Sequence, residues 1–191
     1  ESLLMNYPNK CIFTPADGIF IDSESVFSKT VTKEKLVSHI YSHKRQLEGH
    51  RLRHQVADMI SKAPYSVDTL GSGTGKYLNK KSDGLNSYYF SIVIENNRSP
   101  NYFTEKILDC FACKTIPLYW GAPNINKWFD MDSIICFETL GDLEKILLTL
   151  SKEEYESRFD SLMKNYEKSI EFFDYDKIIS DNILKGVEDG R

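Results

Sequence analysis

The chain has 191 residues, 41% of them hydrophobic and 27% charged, and its net charge is −4. This balance is typical of a globular domain with a real core, and it argues against a basic nucleic-acid-binding protein. No apolar run reaches the roughly 20 residues that a membrane-spanning helix needs. Four cysteines are too few for a disulfide scaffold, so we expect reduced thiols and a cytoplasmic location.

Apolar periodicity predicts an alternation of strands and helices along the chain. The first 25 residues predict a strand, a turn at PADG and a second short strand. Further strands are predicted at residues 35–42, 66–71, 88–95, 115–121 and 133–138, and helices at 49–62, around 103–112, and at 140–150, 151–173 and 174–184. This order predicts an α/β fold: a Rossmann-like parallel sheet with helices on both faces.

Polar residues crowd the junction IENNRSPNYFTEK, between a predicted strand and the helix after it. Ligands of parallel sheets bind outside the carboxyl ends of the strands, and a helix N-terminus favours anions. Thr104 is placed to cap that helix, and Lys106 adds a cation. Asn96 and Glu105 could bond hydroxyl groups, and Tyr102 could cover a ring. Together these groups suit a sugar diphosphate; the alternative is a polar loop with solvated charges.

A longer stretch, ENNRSPNYFTEKILDCFACKTIPLYWGAPNI, resembles the signature of the family 10 glycosyltransferases, the α1,3/α1,4-fucosyltransferases. That signature is Phe-Glu-Asn, a spacer, Tyr-[Ile/Val/Phe]-Thr-Glu-Lys, an apolar helix, and then a Pro-containing strand that ends in Gly-x-Pro. The matching positions are Glu95, Asn96, Tyr102, Thr104, Glu105, Lys106, Ile116, Pro117, Gly121 and Pro123. Weaker similarity extends the resemblance over residues 33–140.

The resemblance implies a two-domain GT-B enzyme, of which this chain supplies the C-terminal, donor-binding half. We therefore expect residues 1–32 to be a remnant of, or linker from, the N-terminal acceptor side. Residues 33–150 are expected to form the domain that binds the nucleotide sugar, and residues 151–191 a C-terminal helical extension.

The resemblance also implies the reaction: inverting, metal-independent transfer of L-fucose or a related sugar to a glycan hydroxyl, with GDP-fucose as donor substrate and no cofactor. By position, Glu105 would be the catalytic candidate and would hold the sugar hydroxyls. Donor-binding roles would fall to Arg53, Arg51, Glu95, Asn96, Tyr102, Thr104 and Lys106. Arg53 is the first choice for the pyrophosphate because a guanidinium fork binds phosphate bidentately, with Arg51 as the alternate. The alternative places both arginines on a solvated helix face.

The chain also departs from the family pattern. Ile94 replaces the usual Phe, and His43 replaces an Asn that follows Ser42. The family carries its general base on the acceptor domain, and no carboxylate here is marked as that base. Two further hypotheses therefore stay open: a GDP-sugar-binding domain without turnover, and a structural domain that has lost its donor.

Three other motifs predict less. GSGTGK lacks the flanking residues of a phosphate-binding P-loop, so we expect a flexible loop. The family resemblance places this loop near the donor base, where Gly71 would allow close approach. Cys110 and Cys113 have metal-ligand spacing but lie on an apolar helix, which favours buried thiols. The histidines pair at spacings of four, His39 with His43 and His50 with His54, and neither pair has an evident third metal ligand.

Overall fold

The computed structural model describes residues 18–28, 30, 32–174, 177 and 180. Five parallel strands form one sheet in the order β2-β1-β3-β4-β5. The strands are β1 Lys35–Ile40, β2 Val67–Leu70, β3 Tyr88–Ile94, β4 Ile116–Trp120 and β5 Ile135–Cys136. The helices are α1 Ser23–Val26, α2 Glu48–Ile60, α3 Glu105–Ala112, α4 Leu140–Thr149, α5 Lys152–Ser157 and α6 Phe159–Ile170. The predicted parallel α/β sheet is confirmed.

The central strands form where the sequence is continuously apolar. All five residues of β4 are buried, as are six of the seven in β3. Strands buried on both faces need helices on both sides, and apolar runs of this kind are typical of parallel sheets. Accordingly, α2 packs with α4, while α3 packs with α6. Within the described residues, no helix is long and apolar enough to cross a membrane.

Helix α3 anchors the core directly behind the predicted site. Ile107 and Phe111 lie on one face of the helix, Phe103 lies just before its N-cap residue, and all three are fully buried. The aromatic rings pack against aromatic residues further along the chain; the ring centroids of Phe111 and Phe129, for example, are 5.0 Å apart. Cys110 and Cys113 are buried free thiols, as expected, and burial raises the pKa of Cys113 to about 12. The core therefore fixes α3, and with it the orientation of the polar residues at its N-terminus.

The long helix predicted at 151–173 is wrong, because the chain breaks at Arg158 into α5 and α6. The two halves pack on different partners: α5 on β3, and α6 on α3. Arg158 holds the break, since its Nε lies 2.7 Å from Glu154 Oε1 and its Nη1 2.5 Å from the Asp132 carbonyl oxygen. One straight helix could not reach both surfaces, so tertiary packing overrides the local helical periodicity.

Other boundaries also differ from the prediction. The strand predicted at 133–138 shrinks to Ile135–Cys136, because Met131–Ser133 form a 3₁₀ turn. Residues 18–22 form no strand. The first predicted strand and most of the PADG turn lie outside the described residues, as does most of the helix predicted at 174–184.

Candidate functional site

A cleft of about 280 Å³ opens at the carboxyl ends of β1, β2 and β3, beside the N-terminus of α3. Its lining combines apolar side chains with three cationic side chains and one carboxylate. The lining residues are Ile40, Tyr41, Ser42, Arg53, Gly71, Ser72, Lys81, Leu85, Ser91, Ile92, Val93, Ile94, Glu105, Lys106 and Cys110. This is the edge of a parallel sheet at which ligands are expected.

Glu95 follows β3 and is completely buried. Its Oε1 accepts a hydrogen bond from the Thr104 backbone N–H at 2.9 Å, and its Oε2 accepts from Thr104 Oγ1 at 2.8 Å. Lys106 Nζ lies 3.2 Å from the same Oε2. These bonds satisfy the carboxylate, so Glu95 organises the α3 N-terminus from beneath and does not line the cleft.

The prediction that the Thr104 side chain caps α3 is wrong. Thr104 occupies the N-cap position, but its hydroxyl makes no capping hydrogen bond. The hydroxyl instead donates to Glu95 and accepts from Lys106 Nζ at 2.7 Å. Bonds to a buried carboxylate and an ammonium are charge-assisted and outweigh a bond to a backbone N–H. The Thr104 hydroxyl thus links Glu95, at the end of β3, to Lys106 on α3.

Lys106 and Glu105 lie side by side at the start of α3, where Lys106 Nζ is 3.3 Å from Glu105 Oε1. Burial acts to raise the pKa of Glu105, but Lys106 and Lys81 outweigh burial and leave that pKa below its ordinary value. Glu105 is therefore an ionised hydrogen-bond acceptor near neutral pH. Such a carboxylate is better suited to hold hydroxyl groups than to take a proton.

Arg53 extends from α2 to the end of β3. Its Nε donates to the Ile94 carbonyl at 3.1 Å, its Nη2 reaches the same oxygen, and Nη2 also donates to Asn96 Oδ1 at 2.9 Å. Burial lowers the pKa of Arg53, although nearby Glu95 and Glu105 oppose the shift, and a guanidinium stays charged at any physiological pH. None of the described hydrogen bonds uses its Nη1, and none of its described partners is a carboxylate. A buried cation with neutral partners leaves positive charge for an anionic ligand.

Arg51, the alternate choice, is exposed, and its Nη1 donates to the Gln46 carbonyl at 3.0 Å. It does not line the cleft. Arg53 and Arg51 sit two residues apart on α2 and therefore point to different sides of the helix. The structure places only Arg53 with the other cleft residues.

The remaining predicted residues surround the same loop. Asn96 Oδ1 accepts a hydrogen bond from Arg53. Tyr102 is half-buried, and its burial, followed by the charge of Glu95, raises its pKa. His43 lies at the rim, with Nδ1 3.4 Å from Ser72 Oγ. Within the described ranges, no group of three His, Cys, Asp or Glu residues is arranged to hold a metal ion.

Two glycines allow the backbone contacts that shape the cleft. A Cβ on Gly49, at the start of α2, would lie 1.7 Å from the Glu95 carbonyl oxygen. Gly71 has a φ of +96°, and a Cβ there would lie 2.5 Å from the Tyr41 carbonyl oxygen. Gly71 therefore makes a close approach, but to the Tyr41 carbonyl group at the end of β1. The role of Gly49 was not predicted, because nothing local to its sequence shows which backbone it meets.

Lys81 is a cleft residue that sequence reasoning missed. It starts the 3₁₀ helix Lys81–Gly84, and its Nζ lies 2.5 Å from Asp109 Oδ2 and 3.5 Å from Glu105 Oε1. One signal was available: Glu105 and Asp109 are four apart on α3 and share a face, where two carboxylates need a cation. The sequence does not say which lysine supplies it.

The fold and the cleft define a class: a parallel α/β domain with a charged site at the carboxyl strand ends, of the kind that binds nucleotides. A family model described as glycosyltransferase family 10 (fucosyltransferase) C-term matches residues 30–178. The chain belongs to this family.

Curated relatives and solved structures agree with this assignment. The chain is 38% identical over 61 residues to alpha-(1,3)-fucosyltransferase FucT of Helicobacter pylori, a match that covers 32% of this chain and 13% of the relative. It is 43% identical over 44 residues to alpha-(1,3)-fucosyltransferase B of Drosophila melanogaster, covering 23% of this chain and 10% of the relative. A crystal structure of an alpha1,3-fucosyltransferase with GDP-fucose matches with a TM-score of 0.56 and 25% identity.

The structural match covers 74% of this chain and 46% of the crystallised one. The chain therefore spans under half the length of the fucosyltransferase whose fold it shares. The chain therefore shares the fold of about half of that fucosyltransferase, and a shared fold does not by itself establish the activity of the whole enzyme.

Proposed function

We propose that this chain binds GDP-fucose, or a related GDP sugar, as the donor half of a fucosyltransferase. In the complete reaction, L-fucose would pass to a glycan hydroxyl with inversion at the anomeric carbon and without a metal ion. One observation carries the proposal: Arg53 presents a buried guanidinium with neutral partners, in the same cleft as Lys106 at the N-terminus of α3.

A diphosphate fits this arrangement of charges. Lys106 is held by Glu95 and Thr104, so its ammonium is fixed before a ligand arrives. The N-terminus of α3 adds backbone N–H groups and partial positive charge. As the glycosidic bond breaks, negative charge grows on the leaving diphosphate, and Arg53 with Lys106 would stabilise it. The sugar would pass through an oxocarbenium-like transition state.

Glu105 would accept hydrogen bonds from donor hydroxyls. The catalytic role expected for it stays a prediction, and its lowered pKa favours binding over proton transfer. A cytoplasmic location likewise stays a prediction of ours.

The first experiment is calorimetric titration of this chain with GDP, GDP-fucose and UDP in the presence of EDTA. We expect both GDP ligands to bind and UDP to bind more weakly. Arg53→Lys keeps the charge but loses the fork, and should weaken GDP binding by about 10-fold to 100-fold, the range expected for lost charge-assisted hydrogen bonds. Arg51→Ala is the matched control on the same helix and should leave the affinity unchanged. Equal losses in both variants, or no GDP binding by the wild type, would contradict the proposal.

The second candidate function is a donor-binding domain without turnover. It is favoured because neither carboxylate near the cleft, Glu95 or Glu105, is free to act as a general base. Glu95 is saturated by Thr104 and Lys106, and Glu105 is held ionised between two ammoniums. Neither is an evident general base. Incubation with GDP-fucose and oligosaccharide acceptors separates the two candidates: product with inverted anomeric configuration supports transfer, and binding without GDP release supports the second candidate.

A further inference from the structure

The ion pair between Lys81 and Asp109 lies beside the residues assigned to the donor and has no role in the function proposed above. Asp109 is completely buried, and Lys81 Nζ lies 2.5 Å from its Oδ2. Its other oxygen, Oδ1, accepts from the Phe20 backbone N–H at 2.7 Å. Lys81 keeps 30% of its side chain exposed and lines the cleft. One end of the pair is thus buried in α3 and the other faces the cleft.

The pair also reaches Glu105. Lys81 Nζ is 3.5 Å from Glu105 Oε1, the same oxygen that Lys106 Nζ approaches to 3.3 Å. Glu105 and Asp109 stand one turn apart on α3, and two carboxylates at that spacing repel each other. The ammonium between them turns this repulsion into attraction at both ends.

Geometry distinguishes Lys81 from Lys106 as a partner of Glu105. Lys106 is adjacent to Glu105 in the chain and is shared with Glu95 and Thr104. Lys81 comes from the 3₁₀ helix that follows the loop after β2, and it lines the cleft together with Glu105. Because ammoniums from two different elements approach the same oxygen, Oε1, the carboxylate is held in one orientation.

We propose that Lys81 and Asp109 are positioning residues for the donor: Asp109 fixes the Lys81 ammonium, and Lys81 holds the Glu105 carboxylate oriented toward donor hydroxyls. This inference rests on the proposed function for the identity of the ligand. It assigns neither Lys81 nor Asp109 a contact with the reacting atoms.

Charges around the site support this assignment. Burial acts to lower the pKa of Lys81, but Asp109 and then Glu105 outweigh it and raise that pKa, so the ammonium persists. Burial raises the pKa of Asp109 in spite of Lys81. The groups that interact electrostatically with Glu105 are the cations Lys106 on its own helix, Lys81 on the 3₁₀ helix and Arg53 on α2. On the other side of the balance stand the Asp109 carboxylate one turn along α3 and the Tyr102 hydroxyl before the helix. Lys81 lies within 3.5 Å of Glu105, so its loss outweighs the loss of the Asp109 charge. Loss of Lys81 therefore raises the pKa of Glu105.

Removing Lys81 alone is a poor test, because it leaves a buried Asp109 carboxylate without its cation and could unfold the chain. The informative variant is Lys81→Gln with Asp109→Asn, which replaces the pair by neutral groups of similar size. Lys81→Arg is the matched control, since it keeps the cation. Melting temperature reports the structural contribution, GDP-fucose titration reports the donor, and a carbon-13 NMR titration reports the Glu105 carboxyl in the free chain.

We expect the double variant to melt near the wild type, to bind GDP-fucose about tenfold more weakly, and to titrate Glu105 at higher pH. Lys81→Arg should stay within about threefold of wild-type affinity. In a Glu105→Gln background, the double replacement should cause no further loss, because Lys81 acts through Glu105.

Wild-type affinity and an unchanged Glu105 titration in the double variant would overturn the inference. A double variant that no longer folds would do the same, by showing that the pair is structural. The proposed function fails in a different way: wild-type chain would bind no GDP ligand, while the NMR titration would still report whether Lys81 controls the Glu105 carboxyl.

Discussion

Two partly buried lysines sit at opposite ends of the sheet and have opposite surroundings. Lys33 precedes β1 at the amino end, where its Nζ lies 2.8 Å from the Cys113 carbonyl, 2.8 Å from Thr115 Oγ1 and 3.3 Å from the Leu85 carbonyl. Lys81, at the carboxyl end, lies between two carboxylates.

The pKa shifts of the two lysines follow from these partners. Burial lowers the pKa of Lys33 to about 7, because none of its described partners is a carboxylate. The pKa of Lys81 is raised, because Asp109 and Glu105 outweigh its burial. The described hydrogen bonds of Lys33 thus all go to neutral atoms, although the same end of the sheet also holds an exposed ion pair, Lys35 with Asp68 at 2.9 Å. Several charged side chains lie at the carboxyl end, and one of them, Arg53, has no carboxylate among its described hydrogen-bond partners.

The difference shows which end is built for a ligand. Hydrogen bonds from Lys33 join the segments that precede β3 and β4, and its pKa of about 7 lets this lysine lose its charge, whereas the guanidinium of Arg53 cannot. At the carboxyl end, cations from three separate elements, Arg53, Lys81 and Lys106, line one cleft. Four measurements test this difference between the two ends of the sheet.

The largest effect should come from Gly49→Ala at the carboxyl end. The new Cβ would lie 1.7 Å from the Glu95 carbonyl oxygen, and a backbone obstacle cannot rotate away. We expect the free energy of unfolding to fall by about 3 kcal/mol or more, at or above the usual range for overpacking. Gly141→Ala in α4 is the control, since its Cβ would meet only Thr139 Oγ1 at 3.8 Å. Denaturant unfolding of both variants makes the test, and equal stabilities would contradict the predicted clash.

Next in size is the contrast between Lys81→Met and Lys33→Met. Lys81→Met leaves the buried Asp109 carboxylate without its cation and should lower the free energy of unfolding by about 3 kcal/mol. The second should cost about 1 kcal/mol or less, because Thr115 Oγ1 still donates to the Leu85 carbonyl at 2.9 Å. Urea unfolding at pH 7 measures both. A larger loss for Lys33→Met would reverse our interpretation of the two ends.

The third measurement is the pH dependence of stability at the amino end. The folded-state pKa of Lys33, about 7, lies below its unfolded value, so the unfolded chain binds more protons above pH 7. Wild-type stability should therefore rise relative to Lys33→Met, by roughly 1–2 kcal/mol from pH 7 to pH 9. Unfolding curves at both pH values give the difference. A difference that stays constant would mean that Lys33 keeps its proton throughout.

The smallest expected effect is on ligand binding. Lys33→Met should leave GDP affinity within about twofold, since Lys33 lies at the far end of the sheet, whereas Lys106→Met should lower it by about tenfold or more. Titration with GDP at pH 7.5 compares the two variants. A comparable loss in Lys33→Met would indicate that the amino end communicates with the cleft.

Much of the sheet was predictable because its signals are local. The apolar run at 88–95 becomes β3, and the helical repeat around 103–112 becomes α3 from Glu105 onward, with Phe103 buried just before it. The polar junction between them was predicted as a site, since a strand end followed by a helix start is visible in sequence. The break at Arg158 was not predictable, because it depends on which surfaces α5 and α6 meet.

Sequence by itself therefore determined the alternation of strands and helices, the family, and the place of the cleft. Tertiary structure alone decided that Thr104 bonds to Glu95 and that Gly49 touches the end of β3. It also decided that Arg53 and not Arg51 faces the cleft, and that Lys81 is the cation between Glu105 and Asp109. The reason is physical: secondary structure follows from neighbouring residues, whereas a charged side chain takes the nearest partner in space, and folding sets that distance.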